Sequence, residues 1–578
     1  MKLINFFCFI FKSKNNMVQL VFKFFLLHFF YYSILHAEPI VKIEQGILSG
    51  TIFETKNNRQ ISAFLGIPYA QPPIDNLRFK NPLPGVKWEG IRLANQEGNS
   101  CAQVYFDNNI YGEEDCLYLN VYTPLLDFKN VNENKLLPVM VWVHGGGFFF
   151  GNSSPNVYGP KYLLDKNIIL VSMNYRLGIF GFFTTGDSVA PGNFGLKDQV
   201  LALKWIKKNI KNFGGNPNRI TLFGESAGGA SVNLHALSNA TNGLFHQYII
   251  QSGSALSPWV YRSKAEYKPL INIIGKKIGC PDTNSQPLVD CLRNKSIDTL
   301  LRAKNARIEN FPILIWLPTD ESESEDAYLT DSPKNLMAKN QMKDHPFMSG
   351  TVVNEGLLVT LPMYANKTPI ERIQYLLERC VNSTSNHYLK SEDVKEFRNA
   401  IENFYFNTSI NSVPEDKLVE NYTNFVSDSG FLYPQSSMME KMLKVTKKPF
   451  YFYSFGYYSL NMNKIFDLFD IKKNVGVPHA EELGFLFSTN ETNTINDNDE
   501  KILNLMIDFW TSFAIDGKPT SNLLENPNLW QPYVENNSFL QIGNISNNTD
   551  PTVTMDDNYF SHRLDFWRKE FPILLRFV

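Results

Sequence analysis

Apolar residues in this chain gather into short unbroken runs separated by amphipathic or polar stretches. Residues 137–143 (LPVMVWV), 167–173 (NIILVSM), 219–223 (RITLF), 248–251 (YIIQ), 346–353 (PFMSGTVV) and 449–455 (PFYFYSF) are such runs. Runs of this length, without polar alternation, predict strands buried on both faces. Residues 114–124 instead read as a strand with alternating faces. Between the runs, residues 198–213 place Leu203, Ile206, Ile210 and Phe213 at helical spacing with lysines on the other face. Residues 231–237 continue a second helix after the run at 219–223. Buried strands alternating with helices predict a mostly parallel sheet flanked by helices. Upstream, residues 38–127 read as short strands and turns. After about Ala255 the periodicity weakens until residue 346, and the helical insertions between Gly356 and Pro449 are not placed by the pattern. The acidic run 320–326 reads as a solvated loop, and the Asn-rich stretches near 490–498 and 535–549 as exposed loops. No internal repeat is present.

Composition narrows the class. The 578 residues are 43% hydrophobic, enough for a large core. The net charge of −2 comes without an extended basic patch, so nucleic acid is not an expected partner. Residues 1–37 change the picture most. Lys12 and Lys14 precede an apolar run at 24–35 that ends near His36-Ala37, a pattern resembling a signal peptide with a small residue at the cut. Met17 is an alternative start. The run is too short to span a bilayer comfortably and contains His28, so the expectation is a secreted protein without a stable membrane anchor. Cysteine usage agrees. Cys101 lies near Cys116, and Cys280 near Cys291, which suggests two disulfides closing short loops. No CxxC or His cluster supports a metal, and Cys380 reads as a free thiol. Asn-x-Ser/Thr acceptors recur from Asn152 to Asn547, so a secreted chain is expected to be glycosylated.

The chemistry enters at Gly224-Glu225-Ser226-Ala227-Gly228, between a predicted buried strand and a predicted helix. Strand, sharp turn and helix form the context of a G-x-S-x-G nucleophile elbow, which exposes the serine hydroxyl. Upstream, the run at 137–143 empties into His144-Gly145-Gly146-Gly147-Phe148. Such a loop leaves backbone N–H groups free to face an anion, as an oxyanion hole requires. In this arrangement the chain order is nucleophile, acid, histidine. His28 and His36 lie in the leader, and His144 lies in the glycine loop. His235 and His246 follow the serine too closely, and His345 precedes the strand leading to Glu355. His387 sits among sequon residues and His562 in a charged tail. His479, in Gly476-Val477-Pro478-His479-Ala480, is the expected base. Glu355 leaves a buried strand into a glycine turn and is the expected acid. Glu481 and Glu482 are too close to His479 in sequence to orient it easily and read as acids at a helix N-terminus.

Taken together, Glu114-Asp115-Cys116-Leu117-Tyr118-Leu119-Asn120, His144-Gly145-Gly146-Gly147-Phe148, Gly224-Glu225-Ser226-Ala227-Gly228 and Gly476-Val477-Pro478-His479 resemble the type-B carboxylesterase/cholinesterase family over nearly the whole mature chain. The resemblance implies an α/β-hydrolase fold with large helical insertions, residues 38–578 being one domain. It implies a Ser226–Glu355–His479 triad in a deep gorge. It places the oxyanion donors on Gly146, Gly147 and Ala227, agrees with the 101–116 and 280–291 disulfides, and calls for no cofactor or metal. The expected partner is a small-molecule ester; oligomeric state is not legible.

Within the family, residues 102–115 contain Tyr105, Phe106 and Tyr111 but no Trp to hold a choline cation, which disfavours choline esters. Juvenile hormone esterases usually carry Gln where this chain has Glu225, which disfavours that hormone. A broad-specificity carboxylesterase similar to insect-type secreted enzymes is the expectation, with Phe148-Phe149-Phe150 as a candidate acyl-site lining. The alternatives are a juvenile-hormone-type esterase, a slow ester-sequestering protein, and an adhesion protein similar to neuroligins.

Overall fold

The computed structural model describes residues 38–570, apart from 106, 130, 282–283, 304–313, 366–372, 380–393, 408–412, 460–465, 467–470, 472–473, 490–494 and 535–537. The expected leader and Cys380 lie outside the described residues.

Eleven strands form the central sheet: β1 (Thr51–Glu54), β2 (Gln60–Pro68), β3 (Tyr118–Thr123), β4 (Leu137–Val143), β5 (Ile169–Met173), β6 (Gly215–Glu225), β7 (Gln247–Gln251), β8 (Phe347–Val352), β9 (Phe450–Phe455), β10 (Phe539–Ile542) and β11 (Val553–Asp556). Their spatial order is β1-β2-β3-β5-β4-β6-β7-β8-β9-β10-β11. Pairing is parallel from β5 through β10 and antiparallel at both ends. The order reverses where β4 sits between β5 and β6. At such a switch point the crevice beyond the carboxyl ends of the strands is the natural site for a ligand.

The unbroken apolar runs reflect burial on both faces of this sheet. In β4, Val139, Val141 and Val143 join one core while Met140 and Trp142 join the other. In β6, Leu222 belongs to the first and Phe223 to the second, since successive strand side chains point to opposite faces. The first core is covered by α1 (Phe194–Asn209) and α2 (Ala227–Leu237), among other elements, and the second by α4 (Asp497–Asp516). Another helix, α3 (Tyr433–Val445), and the C-terminal α5 (Ser561–Glu570) extend the first core. Truncating a fully buried aromatic such as Trp142 to Ala would cost about 3–5 kcal/mol.

Several expectations need correction. β3 is buried along nearly its whole length rather than on alternate faces, because it lies inside the sheet between β2 and β5. The first long helix begins at Phe194, ahead of the predicted start at Asp198, with Asn193 in the left-handed conformation before it. The stretch after Ala255, where periodicity faded, contains helices at Lys264–Lys277, Ser285–Arg293 and Ile297–Arg302. The acidic run at 320–326 is not wholly solvated: Glu321 is buried, 2.6 Å from Lys197 Nζ, and accepts a hydrogen bond from Asn193 Nδ2 at 2.8 Å. The Asn-rich stretch at 535–549 is not loop throughout, since its apolar residues Phe539, Leu540 and Ile542 belong to β10 and are buried.

Disulfides join Cys101 to Cys116 and Cys280 to Cys291, with Cα separations of 4.9 and 5.7 Å. Each closes a short loop, worth about 3 kcal/mol on the chain-entropy account. Among the described residues no helix is long and apolar enough to cross a membrane.

Candidate active site

β4 and β6 are neighbours in parallel register, with Gly224 opposite Val143. Their carboxyl ends therefore deliver the glycine loop and the G-x-S-x-G turn side by side. Ser226 follows β6 and precedes α2 with φ 56° and ψ −123°, outside the regions a non-glycine residue ordinarily occupies. Holding such a conformation costs about 1–3 kcal/mol. It is fixed from both sides: Ser226 N–H donates to Gln251 O at 2.9 Å, and Ser226 O accepts from Ala230 N–H at 2.8 Å. Gly228 is required by close approach, since a Cβ there would lie 2.0 Å from Val143 O. Ser226 is largely buried, and its Oγ makes no hydrogen bond among the described residues.

The glycine loop turns tightly after β4. Gly146 O accepts from the N–H groups of Phe149 and Phe150, both at 3.1 Å. Gly146 has φ +99°, and a Cβ on it would lie 2.0 Å from Phe150 O, so only glycine fits. Among the described residues no acceptor takes the N–H groups of Gly146, Gly147 or Ala227. His144 supports the turn. Its ring is buried, stacks on Tyr175 at 4.4 Å and contacts Gly145 O through Nδ1 at 2.8 Å. Burial lowers its pKa to about 4, so it stays neutral. The aromatic run that follows divides: Phe148 is fully buried against Phe182, while Phe149 and Phe150 are half-buried.

Glu355 and His479, 124 residues apart in sequence, meet beyond the ends of β8 and β9. Glu355 is fully buried; Oε1 accepts from Val352 N–H at 3.0 Å and Oε2 lies 2.5 Å from His479 Nδ1. The histidine loop is clamped to the residue beside the acid. Asn354 N–H donates to Val477 O at 3.2 Å, and Val477 N–H returns a bond to Asn354 Oδ1 at 2.9 Å. Phe431 packs on the imidazole with ring centroids 4.9 Å apart and is itself backed by Trp259.

The other imidazole nitrogen, Nε2, stands 2.9 Å from Glu225 Oε1, although neither atom is aligned for a hydrogen bond. The ring thus sits between two carboxylates. Burial disfavours its charged form, but Glu225 and Glu355 outweigh burial and raise its pKa well above the usual value. In this arrangement Nε2 and Ser226 Oγ are not bonded to each other, and such contacts commonly tighten only when substrate is bound.

The structure therefore brings together Ser226, Glu355, His479 and the glycine loop. Sequence reasoning missed the placement of Glu225 against the base. The pentapeptide displayed that residue, but its contact with His479 joins segments far apart in the sequence. Glu481 and Glu482 fall at a helix N-terminus as expected, in the first turn of a short 3-10 helix (Glu481–Phe485), and both are buried. Glu482 accepts from Gln251 Nε2 at 3.2 Å, and burial beside Glu225 and Glu355 raises its pKa to about 8. Burial thus favours its neutral form. Among the described residues no cluster of His, Cys, Asp and Glu could hold a metal.

Comparison with known proteins shows the family and the fold. The profile of the carboxylesterase family matches residues 37–567. Esterase FE4 of Myzus persicae is 36% identical over 517 residues, covering 86% of this chain and 87% of that protein. A juvenile hormone esterase of Tribolium castaneum is 34% identical, covering 92% of this chain and 94% of its own length. The crystal structure of juvenile hormone esterase from Manduca sexta with OTFP covalently attached superimposes with a TM-score of 0.81. That match has 27% identity and covers 93% of this chain and 100% of that one.

Proposed function

The chain belongs to the carboxylesterase family, has the α/β-hydrolase fold and hydrolyses carboxylic esters, and from that premise we propose that Ser226, His479 and Glu355 carry the reaction through an acyl-enzyme. The observation that carries this reading is the 2.5 Å contact of Glu355 Oε2 with His479 Nδ1, which leaves Nε2 on the side of the serine elbow. Ser226 Oγ attacks the ester carbonyl as His479 Nε2 takes its proton. Glu355 holds the ring in the Nδ1–H tautomer and stabilises the imidazolium. The carbonyl oxygen, now an oxyanion, is received by the N–H groups of Gly146, Gly147 and Ala227. Imidazolium protonates the departing alcohol, and a water activated by the same base releases the acid and frees the serine.

Ser226→Ala tests the assignment. It should abolish both the burst and steady release of p-nitrophenol from p-nitrophenyl acetate while leaving the thermal midpoint in place. Undiminished turnover would refute it. In the unsubstituted protein, steady turnover separates an enzyme from a sequestering protein, which would give a burst without turnover.

For the substrate, the apolar surround of Trp259, Phe431, Phe149 and Phe150 favours small esters with hydrophobic acyl or alcohol groups. Juvenile hormone is the second candidate, since relatives named for its hydrolysis match along most of the chain. Relative kcat/KM across p-nitrophenyl esters of rising acyl length, a choline ester and juvenile hormone distinguishes these. Secretion is supported by the leader pattern at 1–37 and by the two disulfides. Its test is an N-terminus at Glu38 on protein recovered from the medium of secreting cells.

A further inference from the structure

The loop closed by Cys101–Cys116 plays no part in the chemistry described so far. It folds as a small hairpin, Gln103–Val104 paired with Ile110–Tyr111. Gln103, at its base, is buried. Its amide forms a reciprocal pair with one residue of the glycine loop: Nε2 donates to Gly151 O at 3.0 Å, and Oε1 accepts from Gly151 N–H at 2.9 Å. Nε2 also donates to Cys101 O at 2.8 Å, so the side chain is anchored at the disulfide itself. Two residues on, Tyr105 packs edge-on against Phe150 at 5.6 Å.

Gly151 is where the turn closes. The space a Cβ would occupy there lies 2.5 Å from His144 Nδ1 and 2.8 Å from Gly145 O. It follows directly on Phe150, whose N–H is bonded to Gly146 O. The segment from Gly145 to Gly151 is thus a closed loop, pinned at its seam by one amide group from a disulfide-locked hairpin. An oxyanion hole acts through donors aimed in advance, and a displacement of about 1 Å at a reacting centre can cost about a hundredfold in rate.

We infer that Gln103 is a positioning residue for ester hydrolysis, holding Gly151 so that the N–H groups of Gly146 and Gly147 stay aimed at the oxyanion. The inference rests on the assignment of those N–H groups as the oxyanion hole. Gln103 touches neither substrate nor serine; its effect passes through Gly151 and the seam of the loop. The Cys101–Cys116 loop then serves the oxyanion hole although it carries no Trp.

The test uses Gln103→Ala and Gln103→Glu in the full chain. The glutamate keeps an acceptor for Gly151 N–H but sets a carboxylate against the carbonyls of Gly151 and Cys101. Competent sites are counted by the end-point of stoichiometric phosphonylation of Ser226, so that kcat is expressed per intact site. An alkyl trifluoromethyl ketone supplies the second readout. Ser226 Oγ adds to its carbonyl carbon, the serine proton passes to His479, and the carbonyl oxygen becomes an oxyanion. We expect both variants to lose about tenfold or more in kcat per site with KM changed less than about threefold, and to lose ketone affinity by a similar factor. Relative to the parent protein, Gln103→Glu should recover as the pH falls and its carboxyl regains a proton to donate. Unchanged kcat per site and ketone affinity in Gln103→Ala would overturn the role of Gln103. So would a loss confined to the number of titratable sites. If Gly146→Ala instead keeps full ketone affinity, the oxyanion-hole assignment falls and the inference falls with it.

Discussion

Glu225 Oε1 and His479 Nε2 stand 2.9 Å apart, on the side of the imidazole opposite the 2.5 Å contact with Glu355. The imidazole therefore lies between two carboxylates, one of which is the chain neighbour of Ser226. Because the proposed mechanism needs His479 neutral to accept the Ser226 proton, every influence that favours the imidazolium should move the acid limb of the activity profile to higher pH. Glu225→Gln removes one of the two charges. The limb of kcat/KM should move to lower pH, by about one to two units for loss of a close opposite charge. A pH–rate profile on p-nitrophenyl butyrate measures this, and an unshifted limb would show that Glu225 does not govern the base.

Glu355 is fully buried and accepts one backbone N–H besides its contact with the imidazole. Glu355→Gln keeps the shape but presents an amide where the ring N–H needs an acceptor, favouring the wrong tautomer. A fall in kcat of about 10⁴ is expected. The thermal midpoint distinguishes this from unfolding, which would lower activity and midpoint together.

Gly146→Ala tests the glycine loop. The new methyl would meet Phe150 O at 2.0 Å in a backbone conformation with φ +99°. The loop must open to relieve the clash, and misdirecting an oxyanion donor should reduce kcat by about 10²–10³ with a smaller change in KM. Steady-state kinetics on two acyl lengths would show the same loss for both, because the effect lies on the carbonyl oxygen rather than on the acyl chain.

Glu482 carries a stability signature. Its folded-state pKa, raised to about 8 chiefly by burial, exceeds that of an unfolded carboxyl. Above the unfolded value of about 4.3 the unfolded chain has released this proton while the folded one retains it. Its contribution to stability should therefore be complete below that value and diminish as pH rises towards about 8. Glu482→Gln, able to keep the bond from Gln251, removes this slope. Denaturant midpoints of the two proteins should diverge between about pH 5 and pH 8, with the variant the more stable at the upper end. Parallel curves would mean that Glu482 is already ionised in the fold.

Residues 137–143, 219–223 and 346–353 announced their strands because both faces of an internal parallel strand are apolar. The same logic did not reach β3, where sheet position rather than local pattern decided that both faces are covered. The glycines bounding Ser226 marked the elbow, since their lack of a side chain is the local requirement of that turn. Chain order, a covalent property, narrowed the carboxylates and imidazoles, and local context then singled out Glu355 and His479. The sequence by itself thus determined the inner strands β4 to β9, the elbow and the candidate groups.

Tertiary structure alone decided which of these groups meet, because proximity depends on strand order and not on distance along the chain. β4 lies beside β6, so the glycine loop closes next to Ser226 although β5 and α1 separate the two in sequence. β8 lies beside β9, so Glu355 reaches His479 across 124 residues. The meeting of Glu225 with His479 follows from which segments pack together, as does the burial of Glu482 beneath Gln251, at the end of β7. The bond of Gln103 to Gly151 likewise joins two loops that no local pattern links. Local patterning records which face of a segment is covered; it carries no trace of what covers it, and the upward shift of the His479 pKa comes from such distant neighbours, Glu225 and Glu355.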